Sequence, residues 1–390
     1  MLKKFLALVI IFSLIALSAC TGTKEEGTAS LLFVAYQGIK KAEIALVEDK
    51  FFVDGASGQR LQFLKKLNLP ATAIAYDVID RLGDRSQLVI LTGDGSRYFI
   101  SFYNMKINPN NLSDFKLIGR DIHINSLNDK LDFAPNKIQI SKDGKYIAIM
   151  NSFKSNAKDD AIDIIDVSDR TKAKLLKRLD SSIVSTALFM PQNNQARLYY
   201  LRKSVSAVLN YIDIPSLVNT ETKIKIPDSE SIENEVKDMG QIAQDLVVLQ
   251  NKQLSPINSF DSSPSLGDSI STGSSNDKLI PNNSFNLSNI IVLAKNKLTI
   301  HSDISDTSPK DMDISLIDGT VEPFGGFVYF LNSNSTRPLT IFDLQRFNGD
   351  SSSEISNNIR SFRVYSGNDT KALDKAVFVT WAKAFVPNTP

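Results

Sequence analysis

The chain has a single cysteine, Cys20, in 390 residues, so no internal disulfide can brace it. It has one tryptophan, Trp381, and two histidines, His123 and His301. Neither histidine has a second ligating side chain beside it, whereas a zinc site or a catalytic pair needs several convergent groups. No G-x-S-x-G elbow is present, so that serine-hydrolase signature is missing as well. An excess of one charge is also lacking. The 44 basic and 43 acidic side chains nearly cancel, and the clustered cations that drive nucleic-acid binding are absent. Beyond the first 19 residues no run approaches the about 20 apolar residues needed to span a bilayer. Helical periodicity is scarce too. The best helix candidate is 231–246, SIENEVKDMGQIAQDL, which Gly240 interrupts.

What is present begins at the N-terminus. Lys3 and Lys4 precede an apolar run from Phe5 to Leu17, broken only by Ser13. The run is too short to cross a membrane, and with its charged start it fits a secretory signal peptide. It ends in LSAC (17–20), which resembles the lipobox of bacterial lipoproteins. The resemblance implies that residues 1–19 are removed and that Cys20, acylated on its thiol, becomes the first residue and the membrane anchor. Two or three acyl chains, at about 0.8 kcal/mol per buried methylene, make release from the membrane negligible. In lipoproteins of two-membrane bacteria an aspartate after the cysteine resembles an inner-membrane retention signal. Here Thr21 follows, so the expected address is the cell envelope, at the outer membrane where the cell has one. Residues 20–30 are polar and read as a flexible tether; ten such residues reach about 33 Å.

The rest, 31–390, repeats. Runs rich in Val, Ile, Tyr and Phe start at 31, 87, 146, 198, 246, 290, 327 and 378, an average interval of about 50 residues. They read as strands: LLFVAYQ, QLVILTG, YIAIMNS, LYYLRKS, LVVLQNK, IIVLAKN, FVYFLNS and FVTWAK. A partner strand follows most of them, and three partners share an apolar-apolar-Asp-apolar pattern: IIDV, YIDI and IFDL, carrying Asp166, Asp213 and Asp343. An aspartate at a strand end can accept backbone hydrogen bonds in the following turn.

The clearest unit is 135–179. SKDG (141–144) joins two strands, with Gly144 free to take positive φ, and SDRTK turns the chain into a fourth strand. Four antiparallel strands in about 45 residues make one propeller blade. Here the chain resembles bacterial β-propellers of the YVTN-repeat type, whose blades also carry an S-x-D-G turn before a strand. The expected fold is therefore an all-β propeller of seven four-stranded blades, the spacing also admitting six or eight. Two packed β-sandwich-like domains are the rival. Closure is expected from the C-terminal segment 375–383 pairing with the first strands near 31–48, which removes an exposed sheet edge. Residues 254–289 hold 11 serines in 36 positions and read as a disordered loop in the fifth blade. A shorter polar loop is expected at 348–358.

Candidate chemistry is thin. Asp159, Asp160, Asp163, Asp166 and Asp169 cluster in sequence and could gather a hard cation such as calcium, or simply line a loop. DMDISLIDG (311–319) starts like a calcium loop at Asp311 and Asp313 but places Leu316 where that loop needs glycine. GDG (93–95) reads as a hairpin turn. Quinone-dependent propeller dehydrogenases resemble one another in repeated tryptophan docking motifs, which a single tryptophan cannot supply. Propeller hydrolases and lactonases gather acidic, histidine or arginine residues in the central channel. No catalytic residue, metal ligand or cofactor is assigned. The expectation is a lipid-anchored propeller scaffold with an envelope protein as partner, by analogy with propeller lipoproteins of outer-membrane assembly. That family's quinoprotein-like blade motif is missing. The alternative is a cell-surface hydrolase or lactonase with a divalent metal in the channel. Aromatics grouped on one rim (Tyr199, Tyr200, Tyr211, Trp381) would favour sugar or peptide binding instead.

Overall fold

The computed structural model describes residues 27–386, apart from 37–39, 48–61, 80–86, 105–116, 128–132, 154–160, 180–182, 193–194, 204–205, 228, 230, 232–234, 243–244, 259–263, 273–275, 277, 281–287, 315, 322–326, 333–338, 345–358 and 363–375. Cys20, the expected signal segment and the expected 348–358 loop lie outside the described residues.

Among the described residues the strands form seven antiparallel sheets, the blades of a β-propeller. Blade 1 holds β1 (Gly27–Tyr36), β2 (Lys41–Val47) and β3 (Gln62–Asn68). Blade 2 holds β4 (Thr72–Ile79), β5 (Gln87–Gly93), β6 (Tyr98–Asn104) and β7 (Ile122–His123). Blade 3 holds β8 (Phe133–Ile140), β9 (Tyr146–Phe153), β10 (Ala161–Asp166) and β11 (Lys174–Leu179). Blade 4 holds β12 (Ile183–Gln192), β13 (Gln195–Lys203), β14 (Ala207–Ile214) and β15 (Val218–Lys225). Blade 5 holds β16 (Val236–Ile242), β17 (Asp245–Gln250), β18 (Gln253–Asn258), β19 (Ser265–Leu266) and β20 (Ile270–Ser271). Blade 6 holds β21 (Lys278–Ile280), β22 (Ile290–Ala294), β23 (Lys297–His301) and β24 (Lys310–Asp313). Blade 7 holds β25 (Leu316–Val321), β26 (Phe327–Asn332), β27 (Leu339–Asp343) and β28 (Ile359–Phe362). The last strand, β29 (Ala376–Val386), returns to blade 1 and pairs with β1 from Gly27↔Val386 to Tyr36↔Ala376. This is the closure expected from the sequence.

The first strand of each sheet touches the first strand of the next in a closed cycle: β29, β4, β8, β12, β16, β21, β25 and back to β29. These seven form the inner ring around the axis. All run the same way, because each blade repeats the same antiparallel order. The end at which they finish is called the top face below, and the end at which they begin the bottom face.

Seven of the eight hydrophobic runs noted in the sequence are the second strands of the blades, and the eighth is β29. Their apolar residues are continuous rather than alternating because each blade is covered on both faces. In β17, Leu246 and Val248 pack against blade 4 while Val247 and Leu249 pack against blade 6. In β22, Ile290 and Val292 face blade 5 while Ile291 and Leu293 face blade 7. Each fully buried aliphatic side chain of this kind contributes about 1.5–3 kcal/mol relative to exposure. Arg170 adds a polar link between blades 2 and 3. Its guanidinium lies 3.9 Å over the Phe102 ring and donates to the Val167 and Gly144 carbonyls.

The turns follow their residues. Gly144 sits at φ 72°, and Ser141 closes the SKDG turn by accepting the Tyr146 N–H on its hydroxyl. Gly95 of the GDG turn sits at φ 90°.

Two expectations are overturned. Segment 231–246 is not a helix: it enters β16 and then β17. Val236 and Met239 are three apart and pack in one core cluster, which mimics a helical stripe. A β-bulge between Val236 and Asp238 inserts one extra residue, so positions three apart reach the same face of the strand. Segment 254–289 is not simply a loop either, since it carries most of β18 and all of β19, β20 and β21. Its few apolar residues are well placed: Leu254, Ile257, Ile270, Leu279 and Ile280 are buried. Its polar ones pair with each other. Ser255 and Ser269 hydroxyls meet at 2.7 Å, and buried Asn276 donates to the Gln250 carbonyl and the Thr272 hydroxyl. Averaged composition hides such satisfied pairs.

Candidate functional site

Three aspartates stand on the inner ring. Asp77 of β4, Asp238 of β16 and Asp318 of β25 share one arrangement. In each, Oδ1 accepts the N–H of the next residue: Val78 at 2.8 Å, Met239 at 2.9 Å and Gly319 at 2.8 Å. For the first two, Oδ2 accepts a backbone N–H from the next blade's inner strand, Ile140 at 2.7 Å and Leu279 at 3.1 Å. These carboxylates therefore staple neighbouring blades. A carboxylate suits the task because it is an acceptor with two oxygens and several lone pairs.

Two lysines complete the ring. Lys137 of β8 extends past β12 to place Nζ 3.2 Å from Asp238 Oδ1 on β16. Lys278 of β21 reaches Asp318 Oδ1 on the following blade at 2.5 Å. From blade 2 to blade 7 the order is Asp77, Lys137, Asp238, Lys278, Asp318, alternating in sign. The lysine side chains are 34% and 42% exposed, against 14% and 11% for Asp238 and Asp318. The ammonium groups meet solvent while the carboxylates sit behind them against backbone.

Burial dominates at Asp77. Solvent reaches part of the residue, but protein crowds its surroundings, and this desolvation raises the carboxyl to about 6. The Ile140 and Val78 N–H groups and the Lys137 charge pull the other way without cancelling it. The folded state therefore holds this proton more tightly than the unfolded chain, whose carboxyl titrates near its ordinary value. The resulting stability is fully present below about pH 4 and is lost as pH rises through about 6, a change on the order of 3 kcal/mol. Urea midpoints of the wild type and Asp77→Asn, compared from pH 4.5 to 7.5, are expected to diverge across that window. Parallel curves would remove Asp77 from the pH response.

The sequence candidates sit elsewhere. His123 stacks on Phe99 with ring centroids 5.0 Å apart, and His301 is fully buried with Nδ1 3.1 Å from the Asp306 carbonyl. The aspartates of blade 3 separate into structural roles. Asp163, fully buried, pairs across the ladder with Arg178 at 3.6 Å. Asp166 accepts the Ser168 N–H at 2.9 Å, the turn-capping role expected of strand-end aspartates. Asp169 accepts from the Thr171 hydroxyl and N–H, which hold its carboxyl below the usual range. Asp159 and Asp160 lie outside the described residues, as does the side chain of Asp343. Asp213 instead takes a two-point contact from Arg197, whose guanidinium also lies 4.0 Å over the Tyr211 ring. Asp311 pairs with Lys297 and accepts from the Thr299 hydroxyl.

Among the described residues, no three His, Cys, Asp or Glu side chains converge on a point that could hold a metal ion. Tyr199 and Tyr200 are buried in the inter-blade cores and Tyr211 lies under Arg197, so these three do not form an open rim platform. The Trp381 side chain lies outside the described residues. The ring residues themselves were missed in the sequence. Their signal is an aspartate within the first strand of a blade, in Tyr76-Asp77-Val78, Lys237-Asp238-Met239 and Ile317-Asp318-Gly319.

No family model matches this chain, and no curated protein matches it. Solved structures do. Apo AztD from Citrobacter koseri superposes with a TM-score of 0.51 at 13% identity, covering 87% of this chain and 84% of its own. Sqt1 from Chaetomium thermophilum gives 0.49 at 10% identity, covering 85% and 83%. At such identities the first likeness speaks to the fold alone, and the body of this chain is a β-propeller.

Proposed function

We propose that the chain is a lipid-anchored β-propeller acting as a protein-binding scaffold in the bacterial cell envelope, attached through Cys20. The observation that carries this reading is the use of the ring carboxylates. Each accepts the N–H of the next residue, Asp77 and Asp238 also accept a backbone N–H from the next blade, and Asp238 and Asp318 accept from Lys137 and Lys278. Charge that a channel hydrolase would aim at a metal or a substrate is here turned into the wall. A cross-braced ring makes a stiff body, and a stiff body on a short tether suits presenting a surface to a partner. LSAC and Thr21 support placement at the outer membrane of a two-membrane cell.

Crosslinking in intact membranes tests this, with the native chain beside a Cys20→Ala form. One stoichiometric envelope protein is expected with the native chain and is expected to fall away when the anchor is removed. The competing hydrolase reading would take over if neither form crosslinks and the purified body binds a divalent ion and opens lactones.

A further inference from the structure

The start of β1 constrains how the propeller can sit. Gly27 pairs with Val386, the last residue of β29, so β1 starts at the top face. Only residues 21–26 separate it from Cys20, because 27–30, expected to belong to the tether, already form β1. Six residues reach about 20 Å fully extended. The ten residues of β1 stand about 33 Å tall, so that tether cannot turn back along the blade and bring the bottom face to the membrane.

The top face also carries suitable side chains. Among the described residues the large exposed hydrophobics are Leu117, 38% exposed, and Val218, 59% exposed. Both lie at the top: Leu117 bridges to Tyr103 near the end of β6, and Val218 follows the turn after β14. They belong to blades 2 and 4. Between them, the top turns of blade 3 expose Lys142, Lys145, Lys172 and Lys174, with exposed Arg120 bonded to the Thr171 carbonyl. The acids there, Asp143, Asp166 and Asp169, are engaged within their own turns, and Asp143 also pairs with Lys145. Blades 5 and 6 differ, presenting Asp245, Asp303 and Asp306 at this face. Apolar tips flanked by lysines match the boundary of an anionic bilayer, where tips enter the headgroup layer and cations meet lipid phosphates.

We propose that the top face over blades 2–4 rests on the lipid surface in which Cys20 is anchored, leaving the bottom face as the one presented to partners. This rests on the lipid-anchor reading, and the test separates the two. Intact mass of the mature chain reports acylation of Cys20. Hydrogen–deuterium exchange then compares that chain in vesicles of phosphatidylethanolamine and phosphatidylglycerol with the same chain in neutral detergent micelles. Amides in 141–145, 167–173 and 215–218 are expected to exchange about threefold or more slowly on vesicles, with 94–97, 251–252 and 295–296 unchanged. Leu117→Asp combined with Val218→Asp should abolish that difference without lowering the melting temperature by more than a few degrees.

Slowing at the bottom turns or along β3, or none at any of these segments in an acylated chain, would overturn the orientation. A mass showing no acyl group would defeat the anchor reading alone. The chain beginning at Cys20 is then coupled through that thiol to a maleimide lipid. Top-face protection in that form supports the orientation, and its absence overturns it.

Discussion

A chain ending at residue 375 is expected to lose cooperative folding. Without β29 the inner ring lacks one of its seven members, and β1 keeps only β2, losing its inner partner along its whole length from Gly27 to Tyr36. The gap is not local. β29 also contacts β25 of blade 7 and β4 of blade 2, so its removal unseals both flanks of blade 1 at once. An opened ring exposes a long unpaired edge, which invites pairing with other chains. The loss is expected to exceed the about 5–15 kcal/mol that holds a typical domain folded. Far-UV circular dichroism melts and size-exclusion chromatography provide the check. The truncated chain should elute as aggregate and show no sigmoidal transition, and a peptide of residues 376–386 added during refolding should restore part of the transition. A truncated monomer melting within a few degrees of the full chain would show that β29 does not close the ring energetically.

The second large effect is expected at Asp238. Its carboxylate accepts from Met239, Leu279 and Lys137, joining three blades through one side chain. Asp238→Ala leaves two backbone N–H groups without their acceptor and a lysine without its counter-charge. Such a change costs about 3–5 kcal/mol when the abandoned groups stay buried. Lys137→Ala should cost far less, about 1 kcal/mol or under, because that ammonium is partly in solvent and can rehydrate. The contrast is the informative part. If the aspartate works as a staple, urea unfolding will show the Asp238 variant well below the Lys137 variant. If it served only as the lysine's counter-ion, the two variants would unfold together.

The blades were legible in the sequence because their second strands are buried on both faces. Continuous runs such as Leu246–Leu249 and Ile290–Leu293 stand out wherever they recur, and turn residues such as Gly95 and Gly144 mark the hairpins between them. The first strands were harder to read. β16 places Val236 and Met239 on one face only through a bulge, which disguises its period as helical. The short strands of blade 5 satisfy serine, threonine and asparagine with one another, so composition pointed to disorder where the chain is paired.

The candidate site was the least legible part. Asp77, Asp238 and Asp318 are isolated in sequence, each flanked by residues that signal nothing unusual. Their shared role depends on N–H groups and lysines that other blades deliver, such as Ile140 to Asp77 and Leu279 to Asp238. The strand-end aspartates of the third strands drew attention instead, and they divide into a turn cap at Asp166 and an arginine partner at Asp213.

By itself, then, the sequence determined the all-β repeat, the pairing of the last strand with the first, and the turns, because these depend on burial and backbone conformation within one blade or at its ends. Tertiary structure alone decided which aspartates sit on the inner strands, which lysines meet them across the ring, and at which face β1 begins. Those depend on which strands become neighbours when the ring closes, and residues brought together that way carry no common spacing along the chain.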